Sequence, residues 1–253
     1  MKRGVRPVAD RKHGERALCR VMRSLAITNQ KGGSGKSTLS VNLAVEATRR
    51  GERVLVLDTD PQGSAASWAE TRGSGDPDVE AIETARVPIR LYRARREGVT
   101  LVIIDTQPRA EIPLAALLRG VDFALVPLRP STFDTAMVKT TLRPILAARL
   151  PGCIVLNSCP ARAPEVARTR EATQDLGLSL APVELGERRA YMRAVATGRG
   201  VAEFEPNGPA AAEIAALWAY VDGRLTNGED VAAPERAAAA VPAGAHFAPE
   251  TIT

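Results

Sequence analysis

Long apolar runs are absent from this chain. None approaches the roughly 20 consecutive residues that a membrane-spanning helix requires, which argues against a bilayer-spanning protein. The N-terminus is basic with no apolar stretch behind it, so it lacks the pattern of a secretory signal. Cysteine is scarce. Cys19, Cys153 and Cys159 are too few, and odd in number, for a disulfide framework; buried or idle thiols in a reducing cytoplasm are the better reading. Tyrosine occurs three times and forms no cluster near the C-terminus. Residues 1–22, ahead of the first apolar segment, are too few to hold a helix-turn-helix domain.

What remains is ordinary for a globular protein. With 253 residues, 45% apolar and 25% charged, the chain has enough for one large α/β domain with a sizeable core. The formal charge of +5 is unevenly placed. Residues 1–23 hold eight Lys and Arg against Asp10 and Glu15, a net +6, so the rest of the chain stands at −1. A nucleic-acid surface on the body must therefore be a local arginine patch and not a global field. The basic segment 1–22 has two readings. One is a disordered arm that adds non-specific phosphate contacts. The other, slightly preferred, takes Met22 as the start, because Met22-Arg23-Ser24-Leu25-Ala26-Ile27 leads straight into a strand.

The most informative stretch is Asn29-Gln30-Lys31-Gly32-Gly33-Ser34-Gly35-Lys36-Ser37-Thr38. It follows the apolar Leu25-Ala26-Ile27 and leads into a helical pattern that begins near Lys36. A glycine-rich turn between strand and helix aims successive N–H groups at one point, and the helix N-terminus adds partial positive charge there. Gly32, Gly33, Ser34, Gly35, Lys36, Ser37 and Thr38 are thus expected to cradle phosphates. Lys36 reaches the β- and γ-phosphates, and the Ser37 hydroxyl ligates Mg²⁺. Glycine is missing from the position five residues before Gly35, where Gln30 stands, and a second lysine, Lys31, opens the loop.

Helical and strand patterns alternate along the chain. Helices are predicted near 36–50, 88–97, 111–119, 133–149, 162–175 and 208–225, with Gly51 as a C-terminal stop to the first. Buried strands are predicted at 53–58, 100–105, 123–127 and 153–157, and a short one at 79–82. The order argues for an α/β fold, a doubly wound and mostly parallel sheet flanked by helices. The domain is expected over 23–225, followed by a flexible Ala- and Pro-rich tail at 226–253. Ligands of such sheets collect beyond the carboxyl ends of the strands. Asp58 and Asp60, in Leu57-Asp58-Thr59-Asp60-Pro61-Gln62-Gly63, and Asp105, closing Leu101-Val102-Ile103-Ile104, stand at those ends. An aspartate that closes an apolar strand is the Walker B form, which holds Mg²⁺ through water.

Lys-Gly-Gly-x-Gly-Lys-Ser-Thr is the deviant form of the Walker A loop, and with it the chain resembles the partition ATPase (ParA) and MinD superfamily over roughly residues 24–225. Val126-Pro127, Pro130-Ser131 and Asp134 resemble the Val-Pro-x-x-Pro-Ser-x-x-Asp segment of the small partition ATPases, and Trp68 has the expected spacing. The resemblance implies an ATPase with ATP and Mg²⁺ as cofactors, weak and stimulated by a partner. It implies that Lys31 crosses a homodimer interface to the other subunit's nucleotide, so that Lys31, Lys36 and Asp60 are the catalytic set. It further implies that Asp60 orients the attacking water, that Asp58 supports the magnesium shell beside Ser37 and Asp105, and that Asn157 contacts adenine. After Asp105-Thr106 the family has two prolines or proline-glycine, whereas this chain has Gln107-Pro108-Arg109.

By the same resemblance the ATP dimer binds duplex DNA without sequence preference, and a cargo-bound adaptor protein stimulates hydrolysis and release. The protein would be cytoplasmic and nucleoid-associated, acting in plasmid or chromosome partition. The alternative is a positioning or DNA-transfer helper that acts on a protein complex. Arg162, Arg168 and Arg170 on one predicted helix, and Arg188, Arg189 and Arg193 further on, are the candidate DNA contacts. An iron–sulfur carrier is disfavoured because no cysteine comes directly after Asp105 or falls near 111–125, a tyrosine-kinase relative by the scarcity of tyrosine. A MinD-like membrane ATPase is disfavoured because 226–253 contain one phenylalanine, one arginine and no amphipathic face, so no membrane partner is expected.

Overall fold

A computed structural model describes residues 21–73, 75–108 and 116–227. The basic segment up to residue 20, Arg109, most of the helix expected near 111–119, and the tail from 228 onward lie outside the described residues.

The described strands form one parallel sheet in the order β3-β2-β4-β1-β5-β6-β7. They are β1 (Arg23–Ile27), β2 (Val54–Asp58), β3 (Asp78–Ala81), β4 (Leu101–Asp105), β5 (Phe123–Leu128), β6 (Gly152–Leu156) and β7 (Ser179–Leu180). The helices among the described residues are α1 (Lys36–Arg49), α2 (Ser64–Arg72), α3 (Val87–Arg96), α4 (Thr132–Ala147), α5 (Pro164–Thr173), α6 (Arg189–Ala196), α7 (Val201–Phe204) and α8 (Pro209–Asn227), with a 3₁₀ turn at Thr84–Arg86.

Strands β2, β4, β5 and β6 are buried at every position, because helices cover both faces of the sheet. Alternation along each strand divides the core in two. Leu25 and Ile27, Val54 and Val56, Leu101 and Ile103 face one cluster, which takes in α1, Trp68, Ala194 and the apolar side of α8. Ala26, Leu55 and Leu57, Val102 and Ile104 face the other, with α3, Leu117, Leu118 and α4. The edge strands β3 and β7 are short and only partly buried, which limits sheet-to-sheet pairing.

From β1 the chain passes over β4 to β2 and β3, returns to β4, and then crosses β1 to β5 on the far side. That reversal opens a crevice at the carboxyl ends of β1 and β4. The predicted elements that fall on described residues recur within a few residues of their expected ends, but one placement changes. Arg162 is not on the helix expected over 162–175: α5 begins only at Pro164, and Arg162 sits before it in a left-handed turn with φ 57°. A proline at the first turn of a helix sets its start, since the missing N–H there is unpaired in any case.

Candidate nucleotide-binding site

The ladder register levels the strand ends. Asp58 lies opposite Asp105, and Asp105 opposite Ile27, so both carboxylates and the start of the loop emerge side by side. Asn29, two residues past β1, turns the chain. Its Nδ2 donates to the Pro127 carbonyl at 2.7 Å, while its Oδ1 accepts from the Lys31 N–H at 2.9 Å and the Thr141 hydroxyl at 3.2 Å. Gly35 then caps α1 with φ 92°, a conformation that favours glycine. A Cβ there would collide with the Asn157 Nδ2. Asn157 donates that same amide to the Ser34 carbonyl at 2.8 Å, so it braces the loop from β6. The strand–loop–helix context expected for a phosphate cradle is thus present, with the α1 N-terminus directed into it.

Lys36 is buried, and its Nζ donates to the Lys31 carbonyl at 3.3 Å. Burial lowers its pKa, with Asp105 and Asp60 acting against the shift. Asp105 is fully buried. Burial pushes its carboxyl up to about 7, the nearby Ser37 hydroxyl lowers it, the Asp58 charge adds to the rise, and Lys36 and Ser40 oppose it. Its Oδ1 accepts from the Ser40 hydroxyl at 3.2 Å, and its Oδ2 has no partner. An unpartnered buried carboxylate oxygen next to a serine hydroxyl fits a hard divalent cation that takes oxygen ligands and keeps several waters. Ser37 and Asp105 are the residues that would hold Mg²⁺.

Asp58 is spent differently. Its Oδ2 accepts from the Ala65 and Ala66 N–H groups at 2.9 and 3.0 Å, and its Oδ1 from the Asp60 N–H at 3.1 Å. The side chain therefore satisfies the free donors at the start of α2. Asp60 in turn accepts from the Gln62 N–H at 3.0 Å through Oδ1. Asp58 thus shapes the segment that carries Asp60, and any part it takes in a metal shell runs beside that work.

Lys31 is bonded outside its own loop. Its Nζ lies 2.5 Å from Oδ2 of Asp134, in the first turn of α4. Asp134 is 4% exposed, and Ser131, the N-cap of α4, also hydrogen-bonds its Oδ2. The other oxygen, Oδ1, has no partner. Sequence reasoning picked out Ser131 and Asp134 by resemblance but gave them no task.

Two clefts flank the loop. One of about 560 Å³ is lined by Gly33, Lys36, Asp60, Gln62, Trp68 and Pro108. The second, about 470 Å³, lies against Gly35, Thr38 and Asn157 and is walled by Arg188, Tyr191 and Val195. From sequence, Arg188, Arg189 and Arg193 are candidate DNA contacts and no helix is predicted here, although Ala190, Tyr191, Ala194 and Val195 turn one side of α6 to the core. The two walls are joined. Trp68 Nε1 donates to the Arg199 carbonyl at 3.2 Å, and Arg72 donates to the Gly198 carbonyl and to both oxygens of Glu203.

The arginines proposed for DNA differ in their freedom. Arg188 is held by Glu213 at 2.6 Å, and Arg170 pairs with Glu184. Arg162, Arg168, Arg189 and Arg193 are exposed, with no ion pair recorded among the described residues. Cys153 and Cys159 are buried free thiols, both pushed up to about 12 by burial, which makes them poor nucleophiles. None of the described helices is long and apolar enough to cross a membrane.

Phosphate is what this loop is shaped to hold, and a loop of this kind between β1 and α1, with carboxylates at the neighbouring strand ends, defines a P-loop nucleoside-triphosphatase. Comparison with known proteins narrows the class. Residues 25–201 match the model of the CobQ/CobB/MinD/ParA nucleotide binding domain, and the chain belongs to that family. It is 29% identical over 199 residues to the maintenance of carboxysome distribution protein A of Halothiobacillus neapolitanus, covering 75% of this chain and 91% of that one. It is 31% identical over 187 residues to the protein of the same description from Gloeobacter kilaueensis, covering 72% and 85%. The solved ATP complex of Cyanothece McdA shares the fold, with a TM-score of 0.62 at 17% identity over 78% of this chain and 97% of that one.

Proposed function

We propose that this protein is an ATP-driven positioning ATPase that dimerises on ATP, binds DNA without sequence preference as the dimer, and releases it on hydrolysis. The observation that carries the proposal is Lys31. A lysine at the mouth of a phosphate loop that is bonded to Asp134, and not to its own cradle, is free to serve a neighbour's nucleotide once that bond is exchanged.

The chemistry rests on positioning and charge neutralisation more than on covalent steps. The loop amides and Lys36 hold the β- and γ-phosphates of ATP. Mg²⁺, when bound, neutralises phosphate charge as it develops. Asp60 orients a water for attack on the γ-phosphorus, and the Asp58 carboxylate fixes the backbone that carries Asp60. Lys31 from a second copy completes the charge around the γ-phosphate, so its loss on hydrolysis removes the bridge between the copies.

The cargo is best read as a large protein assembly, carried through an adaptor that stimulates turnover. That second element is favoured by the two relatives named for carboxysome distribution, which match most of this chain and of their own length. A replicon is the other reading. The protein would then work in the cytoplasm on the nucleoid.

The test is sedimentation with ATP, ADP or no nucleotide, with and without random-sequence duplex DNA. A dimer and a DNA complex that appear only with ATP support the proposal; a monomer in all three states sinks it.

A further inference from the structure

The helices of a parallel α/β sheet start near the carboxyl ends of the strands and run back to the amino ends. The last turn of α3 therefore lies at the edge of the sheet remote from the phosphate loop, where Thr100 N–H and Leu101 N–H both reach the Arg53 carbonyl, at 3.0 and 3.2 Å. That turn is unusually basic: Arg93, Arg95 and Arg96 follow one another on its exposed side. Arg53 joins them, its guanidinium lying over Gly98, where a Cβ would meet Nη1 at 2.8 Å. Tyr92 is 57% exposed, and the Arg96 guanidinium stands 5.7 Å from its ring centroid.

Three observations separate this cluster from an ordinary solvated face. The acidic neighbours are already occupied: Glu80 and Glu97 both bond Arg90, at 2.6 and 3.0 Å, so no ion pair is recorded for Arg93, Arg95 or Arg96 among the described residues. Asp78 is the carboxylate that faces Arg53. Arg96 is pre-ordered by its ring contact, which lowers the entropy lost on binding a phosphate. The apolar side of α3, with Val87, Leu91 and Ala94, is buried in the core and is not available to a bilayer. One or two cations in a last turn complement the helix dipole; three, with a fourth across the gap, exceed that need.

Resting on the DNA-binding reading above, we infer that Arg53, Arg93, Arg95 and Arg96 around Tyr92 form a contact for the phosphate backbone of duplex DNA. The contact is on the side of the sheet away from the nucleotide, which leaves the loop face clear for a second copy. Guanidinium groups pair with phosphates bidentately and read no sequence, which suits a track rather than an operator.

The experiment is the salt dependence of ATP-dependent binding to random-sequence duplex DNA. It compares the full chain, the triple variant Arg93→Ala/Arg95→Ala/Arg96→Ala, the triple lysine variant at the same positions, and Arg162→Ala/Arg168→Ala/Arg193→Ala. The alanine variant at 93, 95 and 96 is expected to lose about 3 from the log–log salt slope per protomer in contact, with ATP-dependent dimerisation intact, and the lysine variant to keep most of the slope. An unchanged slope in that alanine variant, or a loss confined to the 162/168/193 variant, overturns the inference and leaves the DNA-binding reading standing. Loss of binding to vesicles rich in anionic lipid, with DNA binding unchanged, also overturns it. Absence of DNA binding by the unaltered protein with ATP overturns the reading itself.

Discussion

Lys31 Nζ and Asp134 Oδ2 are 2.5 Å apart, although 103 residues separate them in the chain. The pair joins the mouth of the phosphate loop to the start of α4. It gives the loop lysine an intramolecular partner, which it would have to leave to serve a second copy as proposed. The exchange is feasible because Lys31 is 37% exposed while Asp134, at 4%, keeps the Ser131 hydroxyl as a partner.

Lys31→Ala is expected to bind ATP and stay monomeric. Nucleotide binding by filter or fluorescence assay, together with sedimentation, checks both halves. A dimer with ATP at normal affinity would mean that the lysine serves only its own chain.

Asp60→Ala is expected to hold the ATP dimer and to slow hydrolysis by about 10²- to 10⁴-fold, the usual worth of a positioned acid–base group. Phosphate release and sedimentation, measured on one sample, decide it. Turnover at the unaltered rate would remove Asp60 from the mechanism.

Asp105 makes stability depend on pH. Burial raises its carboxyl from an ordinary 3.8 to about 7 in the fold. A raised carboxyl contributes stability that is complete below the unfolded value and is lost as pH rises through the folded one. The nucleotide-free protein is therefore expected to lose stability between pH 4 and 7, and Asp105→Asn to escape that loss. Thermal melts at pH 5 and pH 8 will show the variant gaining on the parent at the higher pH. Mg²⁺ with ATP should raise the parent's melting temperature and not the variant's; equal stabilisation of both would rule out a metal role for Asp105.

Gly35→Ala should abolish nucleotide binding and destabilise the fold by about 1–3 kcal/mol, because the residue sits at positive φ. Removing the clash through Asn157→Ala should restore little, since the backbone strain stays. Full recovery in the double variant would show that crowding by Asn157, and not φ, forbids a side chain there.

Much of this was legible from sequence where the physics is local or strongly periodic. The loop between β1 and α1 could be read because glycines and lysines at fixed spacing have few other uses. The inner strands could be read because burial on both faces leaves them continuously apolar, as in Val54–Leu57 and Leu101–Ile104. α2 could not, since Ser64–Arg72 buries only Ala65 and Trp68. β7, two residues long at the sheet edge, carries no pattern at all. The task of Asp58 was read as metal support, and its bonds to the Ala65 and Ala66 amides depend on where α2 docks. The partner of Lys31 was beyond reach for the same reason: only the fold brings α4 to the loop. The α3 arginines were visible in sequence but became notable only once Glu80 and Glu97 were found on Arg90.

Trp68 stands at the joint between the two cleft walls, lining the cavity with Asp60 and Gln62 while its indole N–H is bonded to the Arg199 carbonyl. The chain has only two tryptophans, and the other, Trp218, is buried in α8. The molecule thus carries its own optical probe. Emission from Trp68 will respond to any movement of the Asp60 segment against the turn before α7, so with Trp218→Phe as background each turnover can be followed in real time without a label.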